Sequence, residues 1–227
     1  MTIQEYFGDW SKVVDLPEAD RILRKLSASN DIICPRLKDV FKAFTLCSLD
    51  NLKCVIVAQE PYPNLRNGNP VATGLAFANS PDTPDSQLSP SLETLKESVI
   101  DYTVPHGIIN FDPSLEKWEK QGVLLLNSAL SCEAGRVGSH TLMWRPFIKS
   151  LFTNLSEYHT GIVYVLMGTV AQSFEPYINK QFNRIIHIRH PSWYVRQRQR
   201  MPSDIWREIN HILMYQNGCN IKWFTEY

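Results

Sequence analysis

The stretch Lys53-Cys54-Val55-Ile56-Val57-Ala58-Gln59-Glu60-Pro61-Tyr62-Pro63 predicts both the fold and the position of a site. Its first half is apolar and rich in β-branched residues, which is typical of a buried strand over residues 54–57. Because Pro61 disfavours helical backbone at Glu60, the strand should end there and open into a loop. In an open α/β sheet, ligands bind beyond the carboxyl ends of the strands, so Glu60 and Tyr62 are candidate site residues. An ordinary polar turn would have the same pattern, so the decision rests on the remainder of the chain.

The composition is that of an ordinary globular protein. The chain has 227 residues, of which 44% are hydrophobic and 20% charged, and its formal net charge is zero. This length suits one domain over residues 1–227, with an N-terminal helical layer in residues 1–50 and a core over residues 50–200. The apolar runs are shorter than the roughly 18 residues of a membrane span, and the first residues lack the features of a signal peptide. We therefore expect a cytoplasmic protein without membrane contacts, or a nuclear one if its source is a eukaryotic host or virus.

The five cysteines do not form a recognisable metal-binding pattern. They are odd in number and widely separated, and none lies in the C-x-x-C or Cys/His spacing typical of zinc and iron–sulfur sites. We therefore expect reduced, structural thiols and no metal site.

Basic residues are concentrated in one segment late in the chain. Residues 176–203 contain no acid but six bases, which are Lys180, Arg184, Arg189, Arg196, Arg198 and Arg200. A local basic segment in a neutral chain predicts a face that binds phosphates. A solvated basic loop is an equally good interpretation of the charge alone.

Helices and strands are predicted to alternate along the chain. Helical periodicity or capping residues predict helices over residues 16–26 and 37–44, from about Ser89, over 144–155 with Pro146 in the first turn, from Gly168-Thr169, and over 203–215. Apolar runs predict three further strands at 123–127, 162–167 and 184–188. This alternation favours a mainly parallel sheet covered on both faces.

Four polar segments follow the predicted strands directly: Glu60, Asn127, Gly168-Thr169 and His190. Because the carboxyl ends of parallel strands meet at one edge of the sheet, these groups can converge into one polar pocket. Each has an ordinary structural explanation when it is taken singly. The chain has no Gly-rich phosphate loop, no G-x-S-x-G elbow and no H-E-x-x-H helix, which disfavours nucleotide hydrolases, serine esterases and zinc proteases.

Six segments occur in the order seen in family-1 uracil-DNA glycosylases and resemble their motifs. They are Glu60-Pro61-Tyr62, Gly74-Leu75-Ala76-Phe77, Ser91-Leu92-Glu93, Trp118-Glu119-Lys120-Gln121-Gly122-Val123-Leu124-Leu125-Leu126-Asn127, Ser139-His140 and His190-Pro191-Ser192. The resemblance implies a three-layer α/β/α sandwich around a four-stranded, mainly parallel sheet. It also implies a monomeric, monofunctional enzyme that hydrolyses the N-glycosidic bond of deoxyuridine in single- or double-stranded DNA and uses no cofactor. Uracil-containing DNA would be its partner, and a protein inhibitor or a replication protein is a further possible partner.

The resemblance assigns roles around the base. Phe77 resembles the ring that stacks on flipped uracil, whereas core filling is its alternative role. Asn127 resembles the amide that pairs with uracil O4 and N3–H, and Tyr62 resembles the ring that excludes the methyl group of thymine. His190 and the Gln59 backbone N–H resemble the donors to uracil O2, where negative charge develops.

The resemblance also assigns roles around the DNA and the sugar. Glu60 is at the position of the catalytic carboxylate that orients water and stabilises the sugar cation. The segments predicted to bind the DNA backbone are Ser91, Gly168, Thr169, Ser192 and Arg196, and either Trp193 or Tyr194 is at the position of the wedge that fills the vacated stack.

Several residues depart from the family pattern. The family has aspartate where Glu60 is one methylene longer, histidine where Pro63 follows the tyrosine, and glycine where Ala58 precedes Gln59. The loop between Glu60 and Phe77 is also longer. Since catalytic groups need close placement, these departures leave two alternatives open: a catalytically weak uracil-DNA-binding or replication-associated protein, or a glycosylase for another modified pyrimidine.

Overall fold

The computed structural model describes residues 3–103 and 109–226. Its strands are β1 (Ile33–Cys34), β2 (Cys54–Ala58), β3 (Leu65–Arg66), β4 (Asn69–Pro70), β5 (Ile109–Asn110), β6 (Val123–Asn127), β7 (Cys132–Glu133), β8 (Val163–Met167), β9 (Arg184–Ile188) and β10 (Thr225–Glu226). Its α-helices are α1 (Ile3–Phe7), α2 (Leu16–Ser27), α3 (Lys42–Leu46), α4 (Pro90–Thr103), α5 (Glu116–Glu119), α6 (Thr141–Tyr158), α7 (Thr169–Gln172), α8 (Pro191–Gln197) and α9 (Asp204–Asn217).

A parallel sheet in the order β6-β2-β8-β9 forms the centre of the molecule. Every residue of β2, β6 and β8 is buried, as expected of strands whose two faces are both covered, whereas the edge strand β9 is partly exposed. Around the sheet, α2 packs against α6, and α4 packs against α8 and α9. The predicted three-layer α/β/α class with four parallel strands is confirmed.

One continuous hydrophobic core joins the N-terminal helices to the sheet and the last helix. Its buried members range from Phe7 to Trp223. The N-terminal layer contributes a cluster of aromatic rings, in which Phe7, Phe41 and Phe44 contact one another and Phe41 contacts Trp144 of α6. The division of the chain into a single domain over residues 1–227 stays a prediction.

The helix predicted over residues 37–44 is wrong as one continuous element. The backbone forms a 3₁₀ turn over Leu37–Asp39 and then the short helix α3. The turn lies so close to Gly74 that a Cβ atom there would be 2.1 Å from the Asp39 carbonyl oxygen. The apolar pattern correctly indicated burial of Phe41 and Phe44, because these side chains reach the core from either geometry.

Helix α6 begins three residues before the predicted start, so Pro146 lies inside the helix and not in its first turn. A proline has no N–H, and the carbonyl of Leu142 therefore lacks its helical partner. Leu142 is 83% exposed, so water can hydrate this end of the helix at little cost.

The segment before β6 contains a fully buried carboxyl group. Glu119 accepts a hydrogen bond from the Leu125 N–H through Oε1 at 2.7 Å, whereas Oε2 makes no hydrogen bond to any residue that the structure describes. Burial raises the pKa of Glu119 well above its usual range, so the group is held in its neutral form.

We expect Glu119→Gln to remove a pH dependence of stability. The unfolded chain loses the Glu119 proton above a pKa of 4.5 while the folded chain keeps it, so folding stability falls as pH rises toward the folded pKa. The decrease can reach about 1.4 kcal/mol per pH unit. Urea unfolding at pH 5 and pH 7 should show the stability of the variant, relative to the wild type, increasing with pH. The exposed Glu157→Gln is the control, and parallel pH curves for Glu119→Gln and the wild type would contradict the expectation.

Candidate active site

The strand register brings the predicted site segments to one edge of the sheet. Ala58 at the end of β2 pairs with Asn127 at the end of β6. The loop after β6 is bonded to the loop after β2, because the Ser128 hydroxyl donates to the Gln59 carbonyl oxygen at 2.8 Å. On the other side, the Gly168 N–H donates to the Ile188 carbonyl oxygen at 2.8 Å. The four predicted segments therefore converge, as parallel pairing requires.

Phe77 has a backbone conformation that bulky residues rarely adopt. Its φ is 66°, and its carbonyl oxygen accepts a hydrogen bond of 2.8 Å from the Tyr62 hydroxyl. The Phe77 ring contacts the His190 ring with centroids 5.5 Å apart. Left-handed backbone at a phenylalanine is costly and is typical of functional sites. Phe77 is 5% exposed and belongs to the hydrophobic core, so its stacking on a base stays a prediction.

Asn127 presents a buried acceptor without a protein partner. The residue is 4% exposed, and Oδ1 makes no hydrogen bond within the part of the chain that the structure describes. An unsatisfied buried amide oxygen costs free energy unless a ligand or water supplies a donor. The arrangement therefore fits a ligand that offers an N–H to this oxygen.

The contacts of His190 determine which ring nitrogen carries its proton. Nδ1 lies 3.2 Å from the Ser192 backbone N–H, which can only donate, and 2.9 Å from the Ser192 hydroxyl. Nδ1 must therefore be an acceptor. Burial, and then the positive charge of Arg196, lower the pKa of His190 to about 4. At neutral pH the ring is uncharged and carries its proton on Nε2.

The carboxylate of Glu60 is held at both oxygens. The Gly138 backbone N–H donates to Oε2 at 2.7 Å, and the Gln59 side-chain amide donates to Oε1 at 3.2 Å. Burial raises the pKa of Glu60, while these two hydrogen bonds lower it. The two donors thus favour the charged form that burial disfavours.

A cleft of about 490 Å³ adjoins His190 and is lined by residues predicted to bind DNA. Its lining includes Gln59, Gly168, Thr169, Ser192, Trp193 and Arg196. Gly168 has a φ of 89°, and a Cβ atom there would lie 2.9 Å from the His190 Cβ. Only glycine permits this close approach of the two loops.

Of the two residues predicted for the wedge, Tyr194 does not fit that role. Its side chain is only 7% exposed and is part of the core, because helix α8 turns it toward α4. Trp193 is partly exposed in the cleft and carries the Arg189 guanidinium 4.2 Å from its ring centre. The prediction of a wedge is therefore restricted to Trp193.

The basic segment does not form a single face. Lys180 forms an ion pair with Glu175, and Arg200 pairs with Asp101 through both carboxylate oxygens. Arg184 begins β9 and so lies at the opposite edge of the sheet. Arg189 and Arg196 line the cleft beside His190, and Arg198 directly follows α8.

Among the predicted DNA-binding residues, Ser91 has the weakest structural support. It is buried at the start of α4, whose N-terminal turn is fixed by Asn79, since Asn79 Oδ1 accepts from the Ser89 N–H at 2.7 Å. Helix α4 packs against α8, which carries Ser192. The role of Ser91 in DNA binding stays a prediction.

Sequence reasoning missed Ser128 and Gly138 as groups that support the site. Ser128 acts through its hydroxyl bond to the Gln59 carbonyl oxygen and Gly138 through its backbone N–H to Glu60, and neither contact has a pattern of its own in the sequence. The Ser139-His140 motif was the available signal for the loop that contains Gly138.

The described residues offer neither a metal-binding cluster nor a membrane-spanning helix. All five cysteines are free thiols, and the described residues contain no group of three or more His, Cys, Asp and Glu side chains placed to hold a metal ion. Within residues 3–103 and 109–226, no helix has the length and apolar character needed to cross a membrane.

Comparisons with known proteins agree with this geometry. The family model of the uracil DNA glycosylase superfamily matches residues 44–213. Curated uracil-DNA glycosylases of Yersinia pestis (strain Pestoides F) and Yersinia pseudotuberculosis (serotype O:1b, strain IP 31758) are 36% identical to the chain over 197 residues, covering 84% of it and 81% of each relative.

Solved structures share the fold at lower identity. Mimivirus uracil-DNA glycosylase superposes with a TM-score of 0.75 and 21% identity, covering 97% of this chain and 92% of that one. A variant of the mimivirus protein in complex with UGI gives a TM-score of 0.81 at 20% identity, covering 98% and 88% of the two chains. The glycosylase of Nitratifractor salsuginis gives 0.64 at 21% identity, covering 83% and 86%.

We expect His190 to remain neutral throughout the physiological range, with its proton on Nε2. Nitrogen NMR of the histidine rings from pH 4 to pH 8 should show an unprotonated Nδ1 and a pKa of about 4. Arg196→Gln should raise that pKa, yet leave it below 6.5 because burial is the larger cause. Arg198→Gln is the matched control. A His190 that titrates near 6.5 in the wild type would contradict the expectation.

Proposed function

The chain belongs to the uracil-DNA glycosylase superfamily, and we propose that it hydrolyses the N-glycosidic bond of deoxyuridine in single- or double-stranded DNA. The products are free uracil and an abasic site. The observation that carries the proposal is a neutral His190 beside Phe77, at the same sheet edge as the unpartnered oxygen of Asn127. A buried amide acceptor, an aromatic ring and an uncharged imidazole donor together suit recognition of a flipped uracil and stabilisation of its leaving anion.

Base recognition follows from the hydrogen-bonding groups of the pocket. A flipped uracil stacks on Phe77 and offers its N3–H to Asn127 Oδ1, while the amide NH₂ donates to uracil O4. Cytosine has an acceptor at N3 and a donor at C4, so it is rejected by the same amide. Tyr62, whose hydroxyl donates to the Phe77 carbonyl oxygen, would exclude the C5-methyl group of thymine.

Bond cleavage places negative charge on the leaving base and positive charge on the sugar. The Nε2–H of His190 and the backbone N–H of Gln59 donate to uracil O2 as its charge develops, which stabilises the transition state electrostatically. An uncharged His190 needs no proton transfer to do this. Glu60, held as a carboxylate by the Gly138 N–H and the Gln59 amide, orients the water and stabilises the sugar cation.

The DNA backbone is bound at the cleft beside His190. Ser192 and Arg196 contact phosphate together with the Gly168-Thr169 turn, and Ser91 contributes from the start of α4. Trp193 fills the stack that the flipped nucleotide leaves. The chain acts as a monomer, and a protein inhibitor that binds this face would compete with DNA. A replication protein is a second possible partner.

Uracil release from a uracil-containing oligonucleotide tests the reaction. The wild type should release uracil from single and double strands, and Glu60→Gln should lower kcat by about a hundredfold or more because a neutral amide cannot stabilise the sugar cation. Glu60→Asp keeps the charge and should retain more activity than Glu60→Gln. A wild type that releases no uracil, while Glu60→Asp does, would overturn the enzyme assignment.

The longer side chain of Glu60, together with Pro63, favours one alternative, which is a catalytically weak protein that binds uracil-DNA. Tight binding to uracil-DNA without cleavage by the wild type would support it. Asn127→Ala should abolish the preference for uracil in either case, since the recognition amide is then absent.

We expect Tyr62→Ala to admit thymine into the pocket. Removing the ring opens the space next to base C5, so thymine and 5-hydroxymethyluracil release should rise relative to uracil release. Tyr62→Phe keeps the ring and loses only the 2.8 Å bond to Phe77, so it should keep the wild-type selectivity. Release of 5-hydroxymethyluracil by the wild type at a rate equal to that of uracil would instead favour a glycosylase for other modified pyrimidines.

A further inference from the structure

We propose that the loop over residues 132–140 is a positioning element for Glu60, and that the Gly138 backbone N–H is the group through which it acts. The inference rests on the proposed function, since it concerns the carboxylate of that reaction. Glu60 is one of the residues that depart from the family pattern, and its longer side chain has more rotamers in which the charge is misplaced.

Three contacts join the 132–140 loop to the segment Glu60–Pro63. The Gly138 N–H donates to Glu60 Oε2 at 2.7 Å, and the Gly135 N–H donates to the Pro63 carbonyl oxygen at 2.8 Å. The Cys132 thiol donates to the Pro61 carbonyl oxygen at 3.4 Å. The loop thus lies along the whole segment Glu60–Pro63, and its Gly138 N–H contacts the Glu60 carboxylate itself.

Hydrogen bonds within the loop and to the residues that flank it hold the loop in place. The Glu133 N–H donates to the Ser139 hydroxyl across the base of the loop at 2.8 Å, and the Glu133 carboxylate pairs with Arg136. At the end of the loop, His140 Nδ1 is 2.9 Å from the Ser131 hydroxyl, which also accepts from the Trp144 indole N–H at 2.8 Å. These bonds fix both ends of the loop.

Residue 138 favours glycine because of its backbone conformation and not because the space around it is limited. Its φ is 79°, and a Cβ atom there would meet nothing closer than the Thr141 hydroxyl at 4.0 Å. A β-branched residue strongly disfavours this φ, so Gly138→Val should turn the N–H away without creating a clash. Gly68 has a φ of 75° and open space around it, which makes Gly68→Val a matched control in the β3–β4 turn.

The first test is steady-state kinetics on a uracil oligonucleotide. Gly138→Val should lower kcat by about tenfold or more with KM within about twofold, because a hydrogen bond to a charged group is lost. Gly68→Val should keep the wild-type kcat. In the Glu60→Asp background the shorter carboxylate no longer depends on the Gly138 N–H, so adding Gly138→Val should change kcat less than about twofold. Equal losses in both backgrounds would overturn the proposal.

The second test does not need catalysis. The Glu60 carboxyl carbon, followed by NMR titration, should have a higher pKa in Gly138→Val than in the wild type, since a donor to the charged form is gone. The Cys132 thiol is the titratable neighbour, and its own pKa is raised, so it stays neutral in this range. If the wild type releases no uracil, the proposed function fails, whereas this titration still tests the loop.

A second variant avoids the backbone strain of valine. Ser139→Ala removes the acceptor of the Glu133 N–H at the base of the loop, and Ser139→Thr retains it. We expect Ser139→Ala to lower kcat and to raise the Glu60 pKa, each by less than Gly138→Val does. Ser139→Thr should change neither kcat nor the Glu60 pKa. Folded Gly138→Val and Ser139→Ala proteins with wild-type kcat and wild-type Glu60 pKa would show that the loop has no positioning role.

Discussion

Parallel pairing in register is the constraint on which the site depends. Ala58 pairs with Asn127, Val57 pairs with Leu166, and Leu166 pairs with His187, so the carboxyl ends of all four strands are level. A slip by one residue in any strand would turn its buried side chains to the other face of the sheet. Every residue of β2, β6 and β8 is buried, so such a slip would disrupt the core packing, and core packing therefore also fixes the distances within the pocket.

Burial disfavours the charged form of both titratable groups of the pocket, but the neighbours of the two groups act in opposite directions. At His190, burial and the neighbouring Arg196 both disfavour the charged form, and the Ser192 N–H selects the tautomer. At Glu60, burial disfavours the charged form but two donors favour it. A neutral donor on the base side and a charged carboxylate on the sugar side are what cleavage into an anionic base and a cationic sugar requires.

Most of the fold could be predicted from the sequence because it depends on local patterns. Strands β6 and β9 agree with their predictions at both ends, β2 and β8 agree to within one residue, and α9 begins at Asp204, one residue after its predicted start. The predictions failed where tertiary contacts override local pattern. The 3₁₀ turn before α3 faces Gly74, and Tyr194 is buried because α8 continues as a helix through it. Neither contact has a signal within its own segment.

The N-terminal layer contributes more to the site than its amphipathic pattern indicates. Strand β1 pairs with β7, with Cys34 directly opposite Cys132, and β7 is the start of the loop that reaches Glu60. Phe41 from the same layer packs against Trp144, whose indole holds the Ser131 hydroxyl at the end of that loop. Both ends of the loop are thus tied to residues that precede the sheet. The position of the Glu60 carboxylate therefore depends on contacts that lie far from β2 in the sequence.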